Sequence, residues 1–203
     1  MKNNARVVVI GGGVVGVSTL YHLVKKGWTD CVLIERKELT SGSTWHAAGL
    51  LPLFNMSYSV GQIHKYSVDL YGRLEEETGQ YAGLSRVSNI RLATTQDRMD
   101  EYKQYAGVAQ TIGVQVDILT PDEVVDIWPL AVKDNLIGAI RHPMDGYIQP
   151  ADLTQALAKG ARDIGGQIYR NTNVTAITRT QSGEWKVTTD KGEIICEHVV
   201  SAT

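Results

Sequence analysis

The spacing of apolar residues changes twice within the first 35 positions. Arg6–Ile10 is a β-branched run, typical of a buried parallel strand. Apolar residues then recur at helical spacing from Val14 to Val24, and Gly27 is placed to end that helix. Cys31–Glu35 is again an apolar, strand-like run. The pattern predicts a βαβ unit within the ~30 residues that such a unit needs.

Beyond residue 35 the pattern predicts further helices and strands around a more irregular middle. The predicted helices are Ile63–Thr78, Asp97–Ile112, Pro121–Trp128 and Ala151–Ile164. The predicted strands are Ile90–Thr95, Ile137–Arg141, Gln167–Tyr169, Val174–Arg179, Trp185–Thr189 and Glu193–Cys196. Strands alternate with helices at both ends of the chain, which indicates a Rossmann-like α/β domain with a parallel sheet. We expect residues 1–85 and 149–203 to form this discontinuous domain and residues 86–148 to be an insertion.

Composition and charge narrow the classes of function. The chain has 203 residues, of which 43% are hydrophobic and 21% charged, and its formal net charge is −2. These values exclude a collagen, a low-complexity tail and a disulfide scaffold, and they provide no global field for nucleic acid. No segment approaches the ~20 apolar residues of a membrane span. No histidine pair has metal-site spacing, so we expect no metal.

The glycine-rich turn after the first strand is the strongest chemical signal. Gly11, Gly13 and Gly16 fit G-x-G-x-x-G between a predicted strand and helix, and Glu35 follows 19 residues after the last glycine. The glycines allow a tight turn, close approach of a pyrophosphate and close packing of helix on strand. The helix start offers unpaired N–H groups to phosphates. Glu35 is suited to accept ribose hydroxyls and repels a 2′-phosphate.

The fingerprint does not decide between FAD and NAD. A long connection rich in Ser, Thr and Gly follows Glu35 and reaches about Ser59. Loops of this length within a domain are usually functional. A flavin cofactor needs additional loop residues around its ring, so this long connection favours FAD over NAD.

Four segments carry a family resemblance: Leu39–Leu50, Leu74–Gln80, Ile90–Thr95 and Pro143–Gly146. In them the chain resembles the dimethylglycine and sarcosine dehydrogenase group, within the D-amino-acid oxidase-like FAD-dependent amine oxidoreductases. The resemblance implies that residues 1–85 and 149–203 bind FAD and that residues 86–148 are part of an α+β substrate or cap domain. It also implies that His46 bears the flavin covalently and that the backbone at Val174 holds the adenine.

The cofactor-binding residues expected from the fingerprint and the resemblance are Gly11, Gly13, Val14, Val15, Gly16, Glu35, Arg36, Gly42, Ser43, Thr44, Trp45, His46, Ala47, Ala48, Gly49, Leu50 and Val174. The resemblance implies oxidation of an N-methylated glycine by hydride transfer to the flavin. Electron-transfer flavoprotein or oxygen would then reoxidise it, and tetrahydrofolate would take up the one-carbon unit in a full-length protein. In this family the catalytic acid and base lie beyond Thr203, so none is assigned.

Alternatives remain open at this level. The chain is expected to be the amino-terminal part of a longer flavoenzyme, inactive alone, located in the cytoplasm or in the mitochondrial matrix after removal of a targeting segment. Another FAD- or NAD-dependent dehydrogenase and a non-catalytic dinucleotide-binding module are the competing hypotheses.

Overall fold

The computed structural model describes residues 1–203 and contains twelve strands and five α-helices. The strands are β1 (Asn4–Ile10), β2 (Cys31–Ile34), β3 (Leu50–Leu51), β4 (Leu84–Arg86), β5 (Asn89–Ala93), β6 (Asp117–Leu119), β7 (Gly138–His142), β8 (Gly146–Ile148), β9 (Gln167–Tyr169), β10 (Val174–Arg179), β11 (Trp185–Thr189) and β12 (Gly192–Ser201). The helices are α1 (Val14–Lys25), α2 (Tyr58–Thr78), α3 (Gln96–Ile112), α4 (Pro121–Ile127) and α5 (Pro150–Asp163). No helix combines the length and apolarity needed to cross a membrane.

The chain divides into two compact units. The first unit comprises Met1–Gly49, Arg73–Gly83 and Gln149–Thr203. The second comprises Leu50–Gly72 and Leu84–Ile148.

The first unit is built on a six-stranded sheet in the order β10-β11-β12-β1-β2-β9. The strands from β12 to β9 are parallel, while β10, β11 and β12 pair antiparallel at one edge. β1 lies inside the sheet, where Val7, Val8 and Val9 are buried. Helix α1 packs against α5. The predicted α/β class with a parallel sheet is confirmed.

The last strand is longer than its sequence pattern predicts. Glu193–Cys196 was expected to be the closing strand of a hairpin, but β12 runs for ten residues to Ser201. Its first half pairs antiparallel with β11, and its parallel ladder with β1 extends from Ile195 to Ser201. The polar residues Glu197 and His198 hide this continuation in the sequence, because they interrupt the apolar run in a strand held by backbone pairing.

The second unit contains two three-stranded antiparallel sheets, β3-β8-β4 and β5-β7-β6. Strands β3, β4, β6 and β8 have only two or three residues each and were not predicted. Helix α3 begins at the N-cap Thr95, whose side chain accepts the Arg98 N–H, and ends at Gly113 in the left-handed region. Helix α4 begins with a capping box between Thr120 and Glu123. Helix α2 begins at Tyr58, five residues before the predicted start.

Candidate dinucleotide site

The glycine turn between β1 and α1 depends on close backbone approach. Gly11 has a φ of +113°, and a Cβ there would lie 2.4 Å from the Ala202 carbonyl oxygen. A Cβ on Gly16 would lie 2.0 Å from the Gly11 carbonyl oxygen. Real Cβ atoms do not approach so closely, so a side chain at either position would displace backbone. Gly16 therefore lets helix α1 close onto the turn, as the fingerprint predicts.

The first turn of α1 is free of groups that would repel an anion. Its N-cap, Gly13, has no side chain that could cap the helix, and the turn holds no acidic residue. The Val14 N–H donates to Thr44 Oγ1 over 2.9 Å. A helix start of this kind presents N–H donors and a partial positive charge. It can bind the pyrophosphate of a dinucleotide.

The Glu35 carboxylate is fixed beside the glycine turn. Its Oε2 accepts the Gly12 N–H over 2.6 Å, and its Oε1 accepts the Lys37 N–H over 2.8 Å. Each carboxylate oxygen has further acceptor capacity. The group is therefore oriented, and it retains the capacity to accept ribose hydroxyl hydrogens.

A cavity of about 540 Å³ lies in front of these groups. Its walls are Ile10, Gly11, Gly12, Gly13, Val14, Val15, Ile34, Glu35, Arg36, Lys37, Ser41, Gly42, Ser43, Thr44, Thr172, Asn173, Val174, Ala202 and Thr203. The volume is within the range of sites for small molecules and cofactors. Backbone N–H donors, hydroxyls and one carboxylate on these walls match the pyrophosphate and ribose of FAD. The residues present thus fit the nucleotide half of that cofactor.

The structure brings most of the expected cofactor residues together around this cavity. The wall residues among them are Gly11, Gly13, Val14, Val15, Glu35, Arg36, Gly42, Ser43, Thr44 and Val174. Gly16 lies within α1, behind the wall. Trp45, His46, Ala47, Ala48 and Gly49 belong to the first unit but not to the wall, and Leu50 belongs to the second unit.

His46 lies on an exposed turn that continues directly from the cavity wall. The 3-10 turn Ser43–His46 begins with two wall residues, and its Thr44 is bonded to the start of α1. His46 Nδ1 lies 3.1 Å from the Gly42 carbonyl oxygen, and its ring lies 4.3 Å from that of Trp45. An Nδ1–H donor to this carbonyl leaves Nε2 as the unprotonated, nucleophilic nitrogen.

Sequence reasoning missed nine wall residues: Ile10, Gly12, Ile34, Lys37, Ser41, Thr172, Asn173, Ala202 and Thr203. Five of these adjoin expected site residues in the glycine turn or the following connection, so proximity in sequence was the available signal. Thr172 and Asn173 precede Val174 and had no signal of their own. Ala202 and Thr203 reach the cavity because the Ala202 N–H donates to the Ile10 carbonyl oxygen over 2.8 Å, a long-range contact.

Comparison with known proteins agrees with this geometry. The family model described as FAD dependent oxidoreductase matches residues 6–203. The chain belongs to this family. It is 42% identical to the mitochondrial dimethylglycine dehydrogenase of Rattus norvegicus over 99% of its own length and 24% of that protein. The chain therefore spans about a quarter of the length of that relative.

The chain is also similar to two further proteins. The mitochondrial pyruvate dehydrogenase phosphatase regulatory subunit of Mus musculus is 39% identical over 97% of the chain and 22% of that protein. The crystal structure of L-proline dehydrogenase from P. horikoshii superimposes with a TM-score of 0.90 at 28% identity, covering 100% of this chain and 54% of that one.

Proposed function

We propose that the chain is the FAD-binding portion of an oxidoreductase that oxidises an N-methylated glycine of the dimethylglycine or sarcosine type, with the flavin attached to His46. Family membership, 42% identity to a dimethylglycine dehydrogenase and the cavity of the first unit support the proposal. We assign residues 1–85 and 149–203 to FAD binding and residues 86–148 to the substrate or cap domain. The cytoplasm and the mitochondrial matrix remain the expected locations.

The observation that carries the proposal is the path of one loop. Gly42, Ser43 and Thr44 line the cavity, and His46 follows two residues later in the same 3-10 turn. The Thr44 hydroxyl bonds the start of α1, so the turn that bears His46 is tied to the phosphate-binding end of the cavity. The residues proposed to bind the nucleotide and the histidine proposed to bear the flavin thus lie in one short loop.

Four groups of the first unit have defined roles in this proposal. The N–H groups at the start of α1 other than that of Val14 would bind pyrophosphate, Glu35 would orient the ribose, and the backbone at Val174 would hold the adenine. His46 Nε2 is the attachment atom, with the Gly42 carbonyl fixing the tautomer. A bound flavin supplies the hydride acceptor for the substrate C–H bond. Electron-transfer flavoprotein or oxygen is the proposed final acceptor, and tetrahydrofolate the proposed one-carbon acceptor.

Covalent attachment is tested on the protein expressed from its complete gene. After acid denaturation and gel electrophoresis, we expect flavin fluorescence on the protein band and its loss in His46→Ala. His198→Ala is the matched control, because His198 is an exposed histidine of the same unit outside the cavity wall. Unchanged fluorescence on the His46→Ala band would contradict the assignment, whereas its loss from the control alone would point to a different attachment site.

A second candidate function is a non-catalytic FAD-binding module, favoured by the relative described as a regulatory subunit. Anaerobic addition of dimethylglycine or sarcosine separates the two functions. The oxidoreductase loses the absorbance of oxidised flavin on this addition but not on addition of glycine. A flavin-loaded protein that keeps its absorbance with every N-methyl amine supports the non-catalytic module.

A further inference from the structure

Buried polar atoms without hydrogen-bond partners are concentrated at one place in the second unit. The structure contains seven such side-chain atoms. Five of them belong to four residues: Asn89 Oδ1, Arg91 Nε, both ring nitrogens of His142, and Asp145 Oδ2. We call these four residues the polar cluster. Native proteins leave few buried polar atoms unpaired, so this concentration requires a physical explanation.

Three members of the polar cluster come from adjacent strands. Asn89 on β5 pairs with His142 on β7, and Arg91 lies two residues along β5 on the same face of the sheet. Aromatic rings cover them: the Arg91 guanidinium carbon lies 4.6 Å from the centre of the Phe54 ring, and the His142 ring lies 5.5 Å from that of Tyr105. His142 is fully buried.

Asp145 completes the cluster from the turn after β7. Its side chain is buried, and Oδ1 accepts the Leu53 N–H over 2.9 Å. The Asp145 backbone N–H donates to the His142 carbonyl oxygen over 3.2 Å, and its carbonyl accepts the Ser88 N–H over 2.9 Å. These bonds fix the residue from three segments of the chain. Oδ2 is therefore held in place as a buried acceptor without a protein donor.

The charges within the cluster determine what can satisfy these atoms. The positive charge of Arg91 opposes a cation, and the carboxylate of Asp145 opposes an anion. A small neutral molecule that both donates and accepts hydrogen bonds suits all five atoms. Water has these properties, and buried waters in proteins typically bond about three polar groups that lack other partners.

We propose that Asn89, Arg91, His142 and Asp145 form an internal hydration site in the second unit, occupied by ordered water. Water there donates to Asp145 Oδ2 and accepts from Arg91 Nε. Burial and the charge of Arg91 lower the pKa of His142 to about 4, so its ring is neutral at pH 7. A neutral ring offers water one donor and one acceptor.

The variant His142→Phe tests the proposal through the sign of its effect. If water occupies the site, phenylalanine removes two ring nitrogens that bond this water, so the water loses partners inside the protein and we expect the thermal midpoint to fall by about 5 °C or more. If the site is dry, phenylalanine removes two unpaired nitrogens from the core, and the midpoint rises. A rise would overturn the proposal.

Tyr102→Phe is the matched control, because it removes one hydroxyl in the same unit that donates to the Leu92 carbonyl oxygen over 3.3 Å. His142→Phe should lower the midpoint by more than this control. Phenylalanine is larger than histidine and also destabilises a dry site if it is overpacked, so a high-resolution crystal structure of the unmodified protein decides. Water density within about 3.2 Å of Asp145 Oδ2 and of a His142 nitrogen supports the proposal. Direct pairing of the four side chains, an ion, or no density overturns it.

Discussion

The dinucleotide cavity of the first unit and the polar cluster of the second unit differ in how their polar groups are hydrogen-bonded. The cavity combines apolar residues with backbone N–H groups and hydroxyls at the end of a strand and the start of a helix, and its Glu35 carboxylate accepts two N–H bonds. The polar cluster consists of charged or polar side chains beside the Phe54 and Tyr105 rings, and five of their buried atoms have no hydrogen-bond partner within the protein.

This difference shows what each arrangement is suited to bind. Donors at a chain turn face an open cavity, so they can receive a large anionic cofactor. The polar cluster instead offers a few buried donor and acceptor atoms, which suit small molecules such as water. Substitutions in the first unit should therefore change cofactor binding, whereas those in the polar cluster should change stability and its dependence on pH.

The largest effect is expected from Gly16→Val. Its side chain would overlap the Gly11 carbonyl group and push α1 away from β1. We expect loss of flavin binding and a fall of about 3 kcal/mol in the free energy of unfolding, measured by urea denaturation. Gly107→Ala, in α3 of the second unit, is the control: a Cβ there meets no atom within 4 Å, so stability should rise by up to about 1 kcal/mol. Native flavin content in Gly16→Val would refute this account of the turn.

The second expected effect is on the pH dependence of stability. Burial raises the pKa of Asp145 to about 6. Burial and the charge of Arg91 lower the pKa of His142 to about 4, although the charge of Asp117 acts weakly to raise it. The folded state thus retains a proton on Asp145 that the unfolded state loses, so this group's contribution falls as pH rises from about 4 to 6. The folded state lacks the proton that unfolded His142 binds, so that contribution rises over about pH 4 to 6.5.

In the unmodified protein the falling contribution of Asp145 and the rising contribution of His142 largely cancel. Asp145→Asn removes the falling contribution, so the rising contribution of His142 remains. The free energy of unfolding of this variant, relative to the parent, should increase by about 1 kcal/mol per pH unit between pH 4.5 and 5.5. Urea denaturation at several pH values measures it. Asp126→Asn, at an exposed position of the same unit, is the control and should show no such trend. A pH-independent difference for Asp145→Asn would contradict opposed titration.

The smallest effect is expected from Glu35→Gln. The amide keeps the shape of the side chain but loses the charge that strengthens its bonds to ribose hydroxyls, so FAD should bind about threefold more weakly. The dissociation constant is measured in the His46→Ala background, where covalent attachment does not interfere. Glu38→Gln is the control, because Glu38 bonds Asn171 over 2.9 Å and lies outside the cavity wall. Equal weakening by both variants would argue against a specific role for Glu35.

Sequence patterns predicted the parts of the molecule that local periodicity determines. Each of β1, α1 and β2 has its own periodicity of apolar residues. The glycines between β1 and α1 are spaced as the close packing of the helix on the turn requires. The wall formed by Gly11, Gly13 and Glu35 follows from that local order. Helix α3 was likewise predictable, from its apolar spacing and from Gly113 after its end.

Long-range pairing accounts for what the sequence did not predict. β3 and β8 have two and three residues, too few for a period, and they pair although almost 100 positions separate them. The polar cluster was equally hidden, because a histidine and an aspartate in a turn resemble ordinary surface residues. Their burial depends on Phe54 and Tyr105, which arrive from other segments of the second unit.

The position of β1 between β2 and β12 has a consequence for the order of folding. β2 pairs with β1 after about 20 residues, but the other neighbour begins its ladder with Asn4 opposite Ile195. Closing so long a loop is entropically costly and slow. During synthesis the glycine turn is therefore made long before its sheet is complete, and Ala202 reaches Ile10 only when the last of these residues has left the ribosome. The cofactor site of the first unit therefore becomes competent only after β12 and Ala202 have been synthesised, although its glycine signature is translated near the start.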